Sequence, residues 1–225
     1  MPWPADSGYL TKLKLDPFGS RLKVYLIYSG LVGVFFFGLY PTLNWLTSLR
    51  STTFGLYFPF ELDIPLIPAF IWLYLSMYLV FIVPVFLLNQ GGLKRLAFEL
   101  IIVTVAAAVI FLLLPAHLGF IRELPDIPVY RMIFEQIFML DKPHNLVPSL
   151  HVAYSATIVL AVSRNAKPLV NCGLWLWLIG LMLSTVLTHQ HHLLDVFSGA
   201  VLSLMTYQFM DKFYEKNTHS GTGII

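Results

Sequence analysis

Charged side chains are what this sequence has least of. They make up 12% of its 225 residues, while 57% are hydrophobic and the mean hydropathy is +0.75. A soluble domain carries roughly 25% charged residues, so the balance excludes an ordinary water-soluble fold and points to a polytopic membrane protein. Basic runs are missing too, and the net charge is only +2, so nucleic acid is not an expected partner. Cysteine occurs once, as Cys172 in an apolar stretch, which excludes an intrachain disulfide. No internal repeat or low-complexity segment is present. The first 23 residues are polar, carry four basic side chains and show no cleavage-like pattern, so they read as a retained cytoplasmic tail.

What the sequence has in abundance is long apolar runs. A membrane-crossing helix needs roughly 20 such residues, and six stretches approach this: Val24–Tyr40, Pro68–Leu88, Leu96–Leu114, the short Pro148–Ser163, Leu169–Thr188, and a last one from His192 to Met210. Backbone polar groups in lipid must be satisfied within their own segment, so each is expected to be a helix. Lys and Arg then divide unevenly between the two sides. Lys12, Lys14, Arg21, Lys23, Lys94, Arg95, Arg164, Lys167, Lys212 and Lys216 fall on one side, against Arg50, Arg122, Arg131 and Lys142 on the other. The richer side marks the cytoplasm. Both termini are therefore expected inside, with loops one, three and five facing the periplasm, the cell exterior or an organelle lumen. In loop three, Val129, Met132, Ile133, Ile137 and Leu140 recur at helical spacing and predict a helix on the membrane surface or against the bundle. Trp45, Tyr57, Phe58 and Phe60 in loop one suit an interfacial aromatic cluster. The expected architecture is an all-α six-helix transmembrane domain over residues 24–211, flanked by cytoplasmic tails 1–23 and 212–225, with an interfacial helix in the third loop.

Six of the seven histidines (His117, His144, His151, His189, His191 and His192) then lie in or beside the outer loops, and only His219 lies inside. An imidazole at membrane depth is costly without a partner, so such clustering points to function. His191 and Asp195 are four residues apart, one helical turn, which puts them on one face. A carboxylate accepting one ring N–H fixes the tautomer and leaves the other nitrogen free to attack. Pro148, Ser149, Leu150 and His151 open another helix, whose free N–H groups and Ser149 hydroxyl suit an anion. Arg122 lies in the same outer region, where its paired N–H donors could hold phosphate oxygens.

These residues resemble the type 2 phosphatidic acid phosphatase superfamily, which includes inositol- and choline-phosphotransferases. Its Pro-Ser-Gly-His motif maps onto Pro148, Ser149, Leu150 and His151, and its Ser-Arg and His-x-x-x-Asp motif onto Ser184, His191 and Asp195. Its first motif maps weakly, onto Arg122. There are departures: the first-motif lysine falls at Pro115 and its proline at Glu123, the second-motif glycine is Leu150, and the third-motif arginine is Thr185. Neighbouring candidates for the missing cations include His117, Arg131, Lys142, His144, His189 and His192.

The resemblance implies a membrane lipid phosphatase, or a phosphotransferase using the same set, with no metal or other cofactor. His191 would attack phosphorus and Asp195 would orient it. His151 would protonate the leaving alcohol and then activate the acceptor. Arg122, Ser149 and the Leu150 region would bind phosphate, with His144 and His192 as auxiliaries. The expected partners are the bilayer and a lipid phosphate; the sequence leaves the lipid and the oligomeric state open. Two other readings remain: zinc held by His189, His191, His192 and Asp195, and a transporter with outer histidines as a proton relay.

Overall fold

The computed structural model describes residues 15–219, and within them the chain is all-helical. In order these are α1 (Phe18–Ser48), two single 3-10 turns (Pro59–Asp63 and Pro68–Phe70), α2 (Ile71–Leu75), α3 (Met77–Val80), α4 (Val83–Leu87), α5 (Gln90–Leu113), α6 (Pro128–Leu140), α7 (Leu150–Ser163), α8 (Pro168–Leu187) and α9 (Leu193–His219). Four of them, α1, α5, α8 and α9, are long and apolar enough to cross a membrane. Their outward faces are greasy: Phe37, Leu113, Leu169 and Phe197 are each more than 60% exposed. In water such a belt would be a liability, and lipid is its natural solvent.

The remaining two expected spans take another form. Pro68–Leu88 is not one helix but a 3-10 turn followed by three short helices. Pro84 has no N–H to donate, and its ring crowds the carbonyl four residues back, so the helix breaks between Val80 and Val83. α7 is only 14 residues long. It is the hub of the bundle, with Val152, Ala153, Ile158, Val159 and Val162 fully buried and α5, α8 and α9 packed around it. A helix surrounded by protein has no polar face to show, which is why α7 reads as a continuous apolar run.

Several boundaries move. α1 begins at Phe18, inside the stretch read as a tail, and continues to Ser48. α9 runs on to His219, past Met210. Lys12, Lys14 and the last six residues lie outside the described residues. Pro148 is not the first residue of α7: Ser149 is the N-cap, its Oγ accepting the Val152 N–H at 3.4 Å. His191 and His192 precede α9 rather than opening it. α6 exists where its periodicity predicts. Its packed face is Tyr130, Ile133, Phe134, Ile137 and Phe138 against Ile71 and Tyr74, while Val129, Met132 and Leu140 are exposed.

Polar side chains clamp the bundle at the end away from the α7 N-cap. Arg95 of α5 pairs with Glu99 and with Asp211 of α9, both at 2.8 Å, and Arg164 after α7 pairs with Asp211 at 2.7 Å. Further up, Thr157 donates to Ser203 at 3.0 Å, and Thr104 bonds Tyr154.

Candidate active site

The first turn of α7 and the start of α9 meet directly. Ser149 N–H donates to the Asp195 carbonyl at 3.0 Å. Gly199 makes this approach possible, because a Cβ there would stand 2.5 Å from the Ser149 carbonyl oxygen. His151 and His191 consequently face each other, ring centroids 5.7 Å apart and planes at 61°.

The turn before α9 fixes His191. α8 ends with His189 in the left-handed region (φ 54°), and the N–H groups of Gln190 and His191 both donate to the Thr185 carbonyl at 3.0 Å. This reversal satisfies an otherwise free helix-end carbonyl. The His191 ring is then held by Asp195, with Nδ1 3.2 Å from Oδ2, and the same carboxylate oxygen accepts the His192 N–H at 2.8 Å. The second bond is half of a capping box, the N3 acid reaching back to the N-cap amide. Asp195 thus occupies the Nδ1 side of His191, and His191 and His151 line one cavity. Asp195 is 1% exposed.

Around His151, the Tyr74 ring lies 4.5 Å away at a tilt of 31°, its hydroxyl 3.5 Å from Nδ1. The N–H groups of Leu150 and His151 sit in the first turn of α7, where no helical acceptor exists. The Leu150 side chain is buried, so its contribution to an anion site is its backbone.

Arg122 is not turned to this space. Its Nη1 donates to the Asp141 carbonyl at 2.7 Å and lies 3.5 Å from that of Phe138, with the guanidinium 4.7 Å over the Phe138 ring. It caps the C-terminal end of α6, and its Nε is buried without a partner. Burial lowers its pKa and the Asp141 charge opposes that. His144 lies beside His117, its Nδ1 likewise buried and unpartnered. Burial and the nearby charges of Lys142 and Arg122 hold its pKa below the ordinary imidazole value.

His192 is enclosed in a different structure, one the sequence reading missed. Its Nδ1 lies 3.2 Å from Glu61 Oε2, and its Nε2 accepts the Gly119 N–H at 3.0 Å. Glu61, fully buried, also accepts the Leu193 N–H at 2.8 Å and the Phe58 N–H at 2.9 Å. The His192 ring stacks between Tyr57 (4.6 Å) and Phe120 (4.4 Å), and Phe120 stacks in turn on His189 (4.0 Å). His189 Nε2 pairs with the Ile64 carbonyl at 2.9 Å. This four-ring stack ties loops one, three and five together over the start of α9. It also draws His189 and His192 away from His191, and among the described residues no three His, Cys, Asp or Glu side chains are placed to hold a metal. An acid between Phe60 and Leu62, in a chain so poor in charge, was the available signal for Glu61.

Both His192 nitrogens are committed in the neutral ring. A proton on Nε2 would confront the Gly119 N–H. Burial lowers this pKa, against the pull of Asp195 and Glu61. The folded state therefore disfavours the proton: stability is complete above the unfolded pKa of about 6.5 and is lost as pH falls below it. Thermal unfolding of the purified protein between pH 8 and 5 is expected to show that loss, and His192→Phe, which keeps the stack, is expected to make it smaller. An equal slope in both proteins would show that His192 is not the group responsible.

A cavity of about 670 Å³ opens from the two histidines. His151, His191, Asp141, Tyr40 and Tyr74 line one end, and it continues past Val32, Phe36 and Leu96 to Pro84 and Leu93. Along α1 it runs from Tyr25 to Pro41, about 24 Å at 1.5 Å per residue. Comparison of the chain with protein-family models, with curated proteins and with solved structures finds no match.

Proposed function

We propose that this protein is a polytopic membrane enzyme that transfers the phosphoryl group of a membrane lipid phosphate through a phosphohistidine, as a member of the type 2 phosphatidic acid phosphatase superfamily. The acceptor is water in the hydrolytic reading, or a second alcohol in the phosphotransferase reading. The observation that carries this is the facing pair His151 and His191, with Asp195 on the Nδ1 side of His191.

In this reading His191 Nε2 attacks phosphorus in line as the P–O bond to the leaving alcohol breaks. His151 gives that alcohol its proton, then takes one from the incoming water or alcohol as the P–N bond breaks. The free amides of Leu150 and His151 stabilise the equatorial oxygens, while Ser149, fully buried as the N-cap of α7, holds that turn in place. Arg122, held by α6, adds positive potential from one remove.

Six membrane crossings follow if α7 and the broken segment Pro68–Leu88 complete the four long helices. The Lys and Arg distribution supports a cytoplasmic side for both termini and a periplasmic, extracellular or lumenal face for the histidines. α6 then lies near that face, over the site. The elongated apolar cavity meeting the histidines supports a lipid substrate.

Purified protein is expected to release phosphate from at least one lipid among phosphatidate, phosphatidylglycerophosphate, polyprenyl pyrophosphate, a sphingoid phosphate and lipid A, with activity surviving a strong chelator. Vanadate, which adopts the trigonal-bipyramidal geometry of the in-line step, is expected to inhibit at micromolar levels. Full activity in millimolar vanadate, or turnover abolished by chelation, would overturn the scheme.

A further inference from the structure

Among the described residues, the side-chain nitrogens buried without a partner are Arg122 Nε, His144 Nδ1 and Asn145 Nδ2. All lie between α5 and α7. Of these residues only Asn145 lines the cavity that holds His151 and His191. It is 2% exposed. A buried donor without an acceptor is costly, so native structures seldom keep one without a use. In a cavity wall, the acceptor such a donor can meet is an oxygen of the ligand.

The fold fixes this side chain in advance. Asn145 sits in the left-handed region (φ 58°), which asparagine accepts more readily than most residues with a Cβ. The Thr47 hydroxyl, near the end of α1, donates to its Oδ1 at 2.8 Å, which commits the amide oxygen and leaves the NH2 group over. Leu146 and Val147 are buried with Ala116, so the chain is pinned just beyond it. Ser149 then caps α7, and one short segment therefore carries both Asn145 and the free amides of Leu150 and His151. The site is short of donors otherwise. Pro115 and Thr185 stand where the resembled family has cations, and Arg122 is bonded to the end of α6. A neutral amide can be buried without the desolvation cost of a charge and still bond an oxyanion.

We propose that Asn145 Nδ2 donates to a non-bridging oxygen of the phosphoryl group held between His151 and His191, so that a neutral amide makes a contact a cation would otherwise make. This rests on the phosphoryl-transfer reading and adds a residue to its phosphate-binding set. A donor fixed before the reaction begins stabilises charge without reorganising. An Asn145 that served structure only would act through its bond to Thr47, and cutting that bond from either side would then have one and the same effect.

The test pairs Asn145→Gly with Thr47→Val. Both cut the bond between α1 and the loop, and glycine keeps the left-handed backbone, but only the first removes the amide. Full-length protein in nanodiscs is titrated with orthovanadate by calorimetry, and phosphate release is followed on the same set of lipid phosphates. Asn145→Gly is expected to lose at least about 100-fold in vanadate affinity and in kcat, the loss typical of one oxyanion donor, and Thr47→Val less than about tenfold at a similarly lowered melting temperature. Asn145→Asp serves if the glycine protein does not fold. It keeps an acceptor for Thr47, replaces the NH2 with oxygen, and is expected to lose vanadate binding to the same degree. Wild-type vanadate affinity in either Asn145 variant, or equal losses in Asn145→Gly and Thr47→Val, overturns the proposal, while lipid turnover by wild type leaves the transfer reading standing. Vanadate binding that depends on Asn145, in a protein that turns over no lipid phosphate, retains the donor and rejects transfer. A wild-type protein that does not bind vanadate overturns both.

Discussion

Replacement of His191 with alanine is expected to lower phosphoryl turnover by at least about 10⁴-fold, to the background of the empty membrane. In the proposed scheme the nucleophile has no substitute among the described residues: His189 and His192 are stacked and hydrogen-bonded elsewhere, and His151, which lines the same cavity, meets the Tyr74 hydroxyl and not an acid. Losses of this size are what removal of a nucleophile costs where a catalytic set acts as a unit. The fold should tolerate the change, since the turn is held by the backbone bond to Thr185 and Asp195 still accepts the His192 N–H. His151→Ala is expected to behave differently. A general acid contributes about 10²–10⁴-fold, and it matters least when the alcohol leaves easily. The His151 variant should therefore recover much of its deficit on p-nitrophenyl phosphate relative to an alkyl phosphate, whereas the His191 variant should not. Substantial turnover by His191→Ala, or identical leaving-group behaviour in both variants, would remove the assigned roles.

The second large effect is expected at Gly199, which touches no substrate. Adding one methyl group there places it against the Ser149 backbone carbonyl, and a carbonyl in a helix cap has no rotamer in which to retreat. Gly199→Ala must push α9 away from α7, at about 1–3 kcal/mol of overpacking. It also separates His191 from His151, and a misplacement of about 1 Å costs roughly 10²-fold in rate. Thermal unfolding in detergent and kcat are expected to fall together. Gly173→Ala in α8 is the matched control: its Cβ would meet nothing within 4 Å, and alanine is the better helix former. A Gly199 variant as stable and active as the Gly173 variant would show that the close crossing does not matter.

The helical character of the chain and four of its apolar helices could be read directly from runs of residues, because lipid-facing and buried positions both demand apolar side chains. The break in Pro68–Leu88 was foreshadowed only by Pro84; hydropathy counts residues and does not see a missing N–H. The spacing of His191 and Asp195 survived although the helix starts later than expected, since the acid reaches back across the N-cap. Glu61 and Asp141 show where local reading stops. Glu61 meets His192 across 131 positions and Asp141 meets Tyr40 across 101, and no periodicity encodes such distances. Arg122 was legible as a loop cation, but its orientation depends on where α6 ends.

The brevity of α7 has a consequence for where the chemistry sits. Fourteen residues rise only about 21 Å, against a hydrocarbon core about 30 Å thick. Lipid does not meet this rod, because α5, α8 and α9 enclose it, so the shortfall falls inside the protein and not on the bilayer. In the proposed scheme a headgroup must sink to the level where α7 begins before reaction can start.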